Sequence, residues 1–143
     1  MALGLQMLKY ADVVQYLTQT LPPQYSDIYY SHGPSTDTST FDSVPDSIIV
    51  VTIGSGPGFD SEMLFDRSMV QIRSIGPQFD YSGAEDLADA IDKALVAVDS
   101  SRLINGKWTL SIVRSGGPPA PLLRDDGDRH HFTCNYVWEV EYV

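Results

Sequence analysis

The feature that most constrains this chain is the run from His130 to Tyr142, HHFTCNYVWEVEY, where side chains alternate with period two over more than a dozen residues. His130, Phe132, Cys134, Tyr136, Trp138, Val140 and Tyr142 share one face. His131, Thr133, Asn135, Glu139 and Glu141 share the other, which only Val137 interrupts. A strand of this length with one apolar, aromatic face needs neighbours on both edges and a layer to cover that face. The chain must therefore build a sheet and at least one helix to lie on it.

The cover is supplied by Met69 to Val98. Val70 and Ile72 alternate with Gln71 and Arg73 in a strand that Gly76-Pro77 is expected to stop. Ser82 followed three residues later by Glu85 reads as a capping box, so a helix is predicted to begin near Ser82. Leu87, Ile91, Ala94, Leu95 and Val98 fall on one stripe, with Asp86, Asp89, Asp92 and Lys93 predicted to face solvent. A first helix is predicted over Leu5 to Thr20, because Leu3, Met7, Tyr10, Val14, Leu17 and Leu21 follow one another at alternating spacings of four and three. Pro22-Pro23 ends it.

The remaining segments are strands and connections. Asp27 to His32 is a short tyrosine-rich strand, and Ser47 to Ile53, SIIVVTI, reads as a strand covered on both faces. Gly33 to Asp46 and Gly116 to Arg129 are expected as long loops, the second with an apolar knuckle at Leu122-Leu123. Gly54 to Met63 reads as a flexible connection and Phe65 to Ile75 as the next strand. Asn105-Gly106 between Arg102 to Ile104 and Lys107 to Ser115 is a hairpin signal, since both residues tolerate positive φ. The expected architecture is one α+β domain over residues 1–143: a mixed, largely antiparallel sheet flanked by two helices, in the order α-β-β-β-α-β-β-β.

Charge and cysteine content exclude several functions. The 143 residues carry a net charge of −10, which disfavours gripping a phosphate backbone. One cysteine, Cys134, allows no intrachain disulfide, and its place in the last strand points it into the core. No basic, apolar leader opens the chain, and no apolar run is long enough to span a bilayer, so a soluble, intracellular protein with no membrane partner is expected.

Chemical motifs are thin. Gly54-Ser55-Gly56-Pro57-Gly58 has Phe59 where a dinucleotide loop needs its third glycine, a proline without an N–H, and a strand after it instead of a helix. Asp125, Asp126, Asp128, His130 and His131 are the one group that could ligate a metal, and a small metal-dependent enzyme is the rival reading they support. Alternation, however, sends His130 and His131 to opposite faces. No catalytic, cofactor-binding or metal-binding residue is assigned, and no cofactor is expected. The candidates left are contact residues: Phe41, Phe59, Leu122 and Leu123 as apolar side chains in polar segments, Arg124 beside them, and Arg67 and Arg73 as partners for an acidic neighbouring surface.

The stretch Phe65 to Leu95 adds a resemblance. Its strand, R-x-x-x-Q-I-R at Arg67, Gln71, Ile72 and Arg73, runs through a turn into a helix of the form A-x-x-L-A-x-x-I at Ala84, Leu87, Ala88 and Ile91. An N-G hairpin and an aromatic-rich final strand follow. This pattern, with the order of elements, resembles the tail terminator (neck) and minor capsid proteins of long-tailed bacteriophages. The resemblance implies a homohexameric ring in the neck of the virion, assembled in the host cytoplasm. Such a ring stops the tail tube protein from polymerising further and joins the tail to a head-side connector or adaptor protein, with DNA passing through the lumen unbound. It implies no catalytic residues, and it places contacts to neighbours in Gly54 to Leu64 and Gly116 to Arg129. A head-closure adaptor of the same neck is the nearer alternative.

Overall fold

A computed structural model describes residues 8–32, 47–60, 65–98, 102–125 and 127–141. The expected loop Gly33 to Asp46, with Phe41, lies outside the described residues, as do Leu3, Leu5 and Met7 of the first helical stripe.

Helix α1 spans Tyr10–Thr20, so Leu8 and Lys9, which the spacing places inside the helix, precede it. The reason is local: the Lys9 N–H donates to Asp12 Oδ2 at 2.7 Å, which sets the first turn at Asp12. The buried stripe is also rotated by about a residue. Val13, Tyr16, Leu17 and Leu21 are inside, while Tyr10 and Val14 are half-buried at its margin. Pro22-Pro23 ends the helix as expected, followed by one tight turn at Pro23–Tyr25.

Strand β1, Tyr29–His32, lies parallel to the start of β2, Ile48–Asp60, with Tyr29 opposite Ile48. Ile49 and Val51 of β2 point into the main core, whereas Ile48 and Val50 join Ile75 in a smaller buried cluster, so this strand is covered on both faces as its composition predicts. Beyond Ile53, however, the segment expected to be a flexible connection remains strand to Asp60. The partner β3, Phe65–Gln78, is long enough to pair with it, and the register shift between Ser55 and Gly58 places Gly56 and Pro57 in a bulge. A bulge absorbs a proline that has no N–H to offer the ladder. The same device carries β3 past Gly76-Pro77, where the strand was expected to stop, through a shift between Ile75 and Gln78.

Helix α2, Tyr81–Val96, is capped by Asp80, whose Oδ1 accepts the Gly83 N–H at 2.8 Å; the cap is thus Asp80 and not Ser82. Its buried residues are Ala84, Leu87, Ala88, Ile91, Asp92 and Leu95. At about 1.5–3 kcal/mol for each fully buried aliphatic side chain, Leu87, Ile91 and Leu95 hold the helix to the sheet with roughly 5–9 kcal/mol before entropy. Gly76 is required here by space: a Cβ on it would stand 2.4 Å from Ala84 Cβ.

Strands β4, Arg102–Ile104, and β5, Lys107–Arg114, form the expected hairpin, with Asn105 at φ 49° and Gly106 at φ 77°. The segment after it is not wholly a loop. Ala120–Arg124 forms β6, which pairs with the last strand, β7, Arg129–Glu141. The order across the sheet is β1-β2-β3-β7-β5-β4, and β6 occupies the β7 edge beyond β5. All pairings except β1 with β2 are antiparallel. Among the described residues the chain is therefore α+β, with two α-helices and a mixed, largely antiparallel sheet one strand richer than expected. Both helices pack on the same face. Leu17, Leu87, Ile91 and Leu95 share a core cluster with Val70, Ile72, Cys134, Tyr136, Trp138 and Val140, the face of β7 that its alternation assigns inward.

Candidate interface

Two buried carboxylates brace the fold. Asp12 and Asp92 are 2% and 3% exposed, and each ties a helix to the sheet. Asp12 Oδ1 accepts from Asn105 Nδ2 at 2.6 Å and Oδ2 accepts from Lys107 Nζ at 2.5 Å, which docks the start of α1 on the β4–β5 turn. Asp92, predicted to face solvent, turns inward instead. Its carboxylate takes both Arg114 Nε, at 2.9 Å, and Arg114 Nη2, and accepts the Tyr136 hydroxyl at 2.9 Å. The bond to Asp92 raises the Arg114 guanidinium's pKa; burial first, then its hydrogen bonds, push the Tyr136 phenol far above its ordinary value. Among the exposed acids, Asp89 pairs with Lys93 at 2.8 Å, as their spacing predicts.

The acidic turn before β7 gathers one carboxylate and one imidazole. Asp125 Oδ2 lies 2.7 Å from His131 Nε2, and its Oδ1 accepts the N–H groups of Gly127 and Arg129 at 2.8 and 3.1 Å. His130 lies on the opposite face and meets Tyr81 edge to face at 5.0 Å between ring centroids. No group of three or more metal-ligating side chains comes together among the described residues, and Asp126 lies outside them. His131 and Asp125 thus act as a brace for the turn. Cys134 lies in the core, with Sγ 3.6 Å from the Gly117 carbonyl oxygen.

The contact candidates divide. Leu122 and Leu123 are 44% and 48% exposed, and the Arg124 side chain 62%, on β6. All three lie on an edge strand and not in a loop, with Leu123 opposite His131 and Arg124 opposite His130, so these two fall on opposite faces of the sheet. Arg67 and Arg73 are half-buried on β3, opposite Glu139 and Thr133 of β7, and both already interact within the chain. Phe59 lies on β2 opposite Asp66, separated from β6 by β3 and β7.

Two sets of exposed apolar residues escape the sequence reading. Phe79, at the corner between β3 and α2, is 74% exposed at φ 60°. Its N–H donates to the Asp128 carbonyl at 2.8 Å, and Asp128 Oδ1 lies 3.7 Å from Arg124 Nε, so Phe79 and Arg124 flank the same turn. On the sheet face away from the helices, Leu103 and Trp108 are a cross-strand pair, 60% and 43% exposed, and Val113 stands in one row with Val137 and Met69. Strand alternation could have flagged Trp108 against buried Thr109, but β5 is apolar on both faces. Between the end of α1 and α2 runs an open groove of about 500 Å3, floored by Pro22, Tyr25, Ala90 and Ala94 and edged by Asp86, Asp89 and Lys93.

An acidic α+β domain with buried carboxylates tying its helices to its sheet, and with exposed apolar groups on separate outer surfaces, has the surface expected of a protein that works by assembly. The chain belongs to the bacteriophage tail terminator protein family, which it matches over residues 32–142; this is a family of phage tail structural proteins and not of enzymes. Solved structures share its fold. One is a chain of the virion of a native gene transfer agent particle, with TM-score 0.61, 14% identity, and 92% of each chain covered. A second solved chain has TM-score 0.52 at 12% identity, covering 96% of this chain and 99% of the other. At these identities the likeness is one of fold. No curated protein matches the sequence significantly. No helix among the described residues is long and apolar enough to cross a membrane.

Proposed function

We propose that this chain is the tail terminator of its particle. Six copies close into a ring on the end of the tail tube, halt addition of further tube protein, and present the opposite side of the ring to the head-side connector or adaptor. The observation that supports this reading is the family match, which runs from the last residue of β1 through β7. Charge supports it: a lumen through which DNA slides must not hold phosphates, and a chain of net charge −10 meets that condition. So does the scatter of exposed apolar groups, since a ring subunit touches neighbours in the ring as well as tube and connector, and needs more than one contact surface. Leu122, Leu123 and Arg124 are assigned to contact, and Phe41, Phe59, Arg67 and Arg73 remain candidates of the same kind. The protein then resides in the neck of the virion after assembly in the host cytoplasm.

The test is electron microscopy of particles made without this chain. Overlong tails unattached to heads are expected. Tails of normal length joined to heads would refute the reading.

A further inference from the structure

We propose that Asn105 is a site of spontaneous deamidation, guarded by its bond to Asp12, and that the aspartate or isoaspartate formed there releases the start of α1 from the β4–β5 hairpin. The co-reactant is water, and the inference stands apart from the ring reading.

Asn105 is followed by Gly106, and both are exposed at the tip of the hairpin, between the paired residues Ile104 and Lys107. Glycine leaves its backbone nitrogen unshielded by a side chain, and a Cβ placed at Gly106 would meet nothing within 4 Å. The chemistry needs only these atoms and water. Hydroxide takes the Gly106 N–H proton, and the nitrogen attacks Cγ of Asn105. The bond from Cγ to Nδ2 breaks, and Nδ2 takes a proton back from water and leaves as ammonia. A second water opens the cyclic imide at either carbonyl carbon. One opening gives aspartate; the other leaves the backbone running through the side-chain carbons, as isoaspartate.

Folding holds this reaction back. Asn105 Nδ2 donates to Asp12 Oδ1 at 2.6 Å, so the carboxamide is engaged with α1 and must give up that bond before Cγ can swing onto the Gly106 nitrogen. The bond is strong, because its acceptor is a carboxylate only 2% exposed. Asn105 also sits at φ 49° in a turn held by strand pairing at both its ends, which restricts the backbone rotation the attack requires.

The product cannot restore what it replaces. Three donors converge on Asp12: the Lys9 N–H at 2.7 Å, Lys107 Nζ at 2.5 Å, and Asn105. Conversion exchanges one donor for an anion within reach of another anion, and the single Lys107 ammonium must then serve two carboxylates. Isoaspartate also lengthens the backbone of a tight hairpin turn, which disturbs the pairing of Ile104 with Lys107. The element that yields is the first turn of α1, which Asp12 ties to the hairpin. Because ammonia is lost, refolding does not reverse the change.

The test follows the amide in the purified full chain at mildly alkaline pH, by peptide mass mapping and by enzymatic methylation of isoaspartate. Conversion at Asn105 should be about tenfold or more slower in the folded chain than in urea, the factor that one charge-assisted hydrogen bond represents. No conversion in urea would remove the site itself. Asp12→Ala should recover most of the unfolded rate, while Lys107→Met, which removes the ion pair and keeps the Asn105 bond, should stay near the parent. Equal rates in the folded and unfolded chains, or the same gain in both variants, would overturn the guard. A second arm reads the consequence directly. Asn105→Asp should speed amide exchange in the first turn of α1 well beyond Asn105→Gly, which loses the bond without adding charge and accepts the backbone angle. Exchange no faster in Asn105→Asp than in Asn105→Gly would overturn the release of α1 even where conversion is seen.

Discussion

Gly76→Ala is the substitution for which the structure sets the strongest expectation. The added methyl would meet Ala84 Cβ at 2.4 Å, Ala84 Cα at 2.6 Å and Ala84 N at 2.9 Å. Carbon atoms in contact stand about 3.5–4.0 Å apart, so the first turn of α2 must retreat from β3 by about 1 Å. Two of these obstacles are helix backbone, which cannot swing away as a long side chain can. The retreat also loosens Ala84 and Ala88 from Phe132, a packed cluster at that end of the sheet. Overpacking of this kind costs about 1–3 kcal/mol, and the backbone contacts place this case near 3 kcal/mol. For a domain of this size that is a fall in Tm of roughly 10 °C. Equilibrium urea unfolding of Gly76→Ala, Ala84→Gly and the double variant measures it. Ala84→Gly alone should cost about 1 kcal/mol through helix propensity. In the double variant the shortest contact disappears while the one to Cα stays, so a favourable coupling of about 1–1.5 kcal/mol is expected. Stability of Gly76→Ala within about 0.5 kcal/mol of the parent, or strict additivity in the pair, would refute the close approach of β3 and α2.

Further outcomes concern the braces and the corner. Asp12→Ala should destabilise the chain by about 3 kcal/mol, because Lys107 and Asn105 lose a buried acceptor; urea unfolding together with faster amide exchange in α1 would report it. Tyr136→Phe should cost about 1 kcal/mol at neutral pH. The Tyr136 pKa is raised above its unfolded value of about 10, so its contribution is complete below that pH and is lost as pH rises beyond it. The variant should show a shallower loss of stability in strong alkali, followed by urea midpoints and phenolate absorbance. Phe79→Asn should raise the stability of the chain by about 1 kcal/mol by relieving the left-handed backbone, which urea unfolding would report.

How much of this was legible in the sequence depended on whether the information was local. The alternation of β7, the apolar stripe of α2 and the Asn105-Gly106 turn are written in neighbouring residues, and the structure reproduces them. Gly56-Pro57 and Gly76-Pro77 read as breaks because a bulge and a stop use the same residues. Only a partner strand long enough to resume pairing tells them apart. Strand β6 was missed for a related cause: five residues with Pro121 among them carry no periodicity, and the β7 edge holds them in place. Asp92 was assigned to solvent because a carboxylate on a helix is usually exposed, while the guanidinium that turns it inward lies on a different element, at Arg114. Of the exposed side chains, Leu122, Leu123 and Arg124 are visible as apolar and basic residues in a polar segment. Phe79 is not, since its meaning depends on a backbone angle.

Strands β5 and β6 share one side of β7 but do not form one continuous ribbon. Gly116, at φ 103°, and the prolines at 118, 119 and 121 interrupt them. A long, flat border of free amide groups is a template on which further chains can stack without limit. Here that border is cut into short pieces, part of β5 is covered by β4, and Pro121 within β6 has no hydrogen to donate. Such a border discourages growth into fibres and leaves any association to side chains instead of backbone.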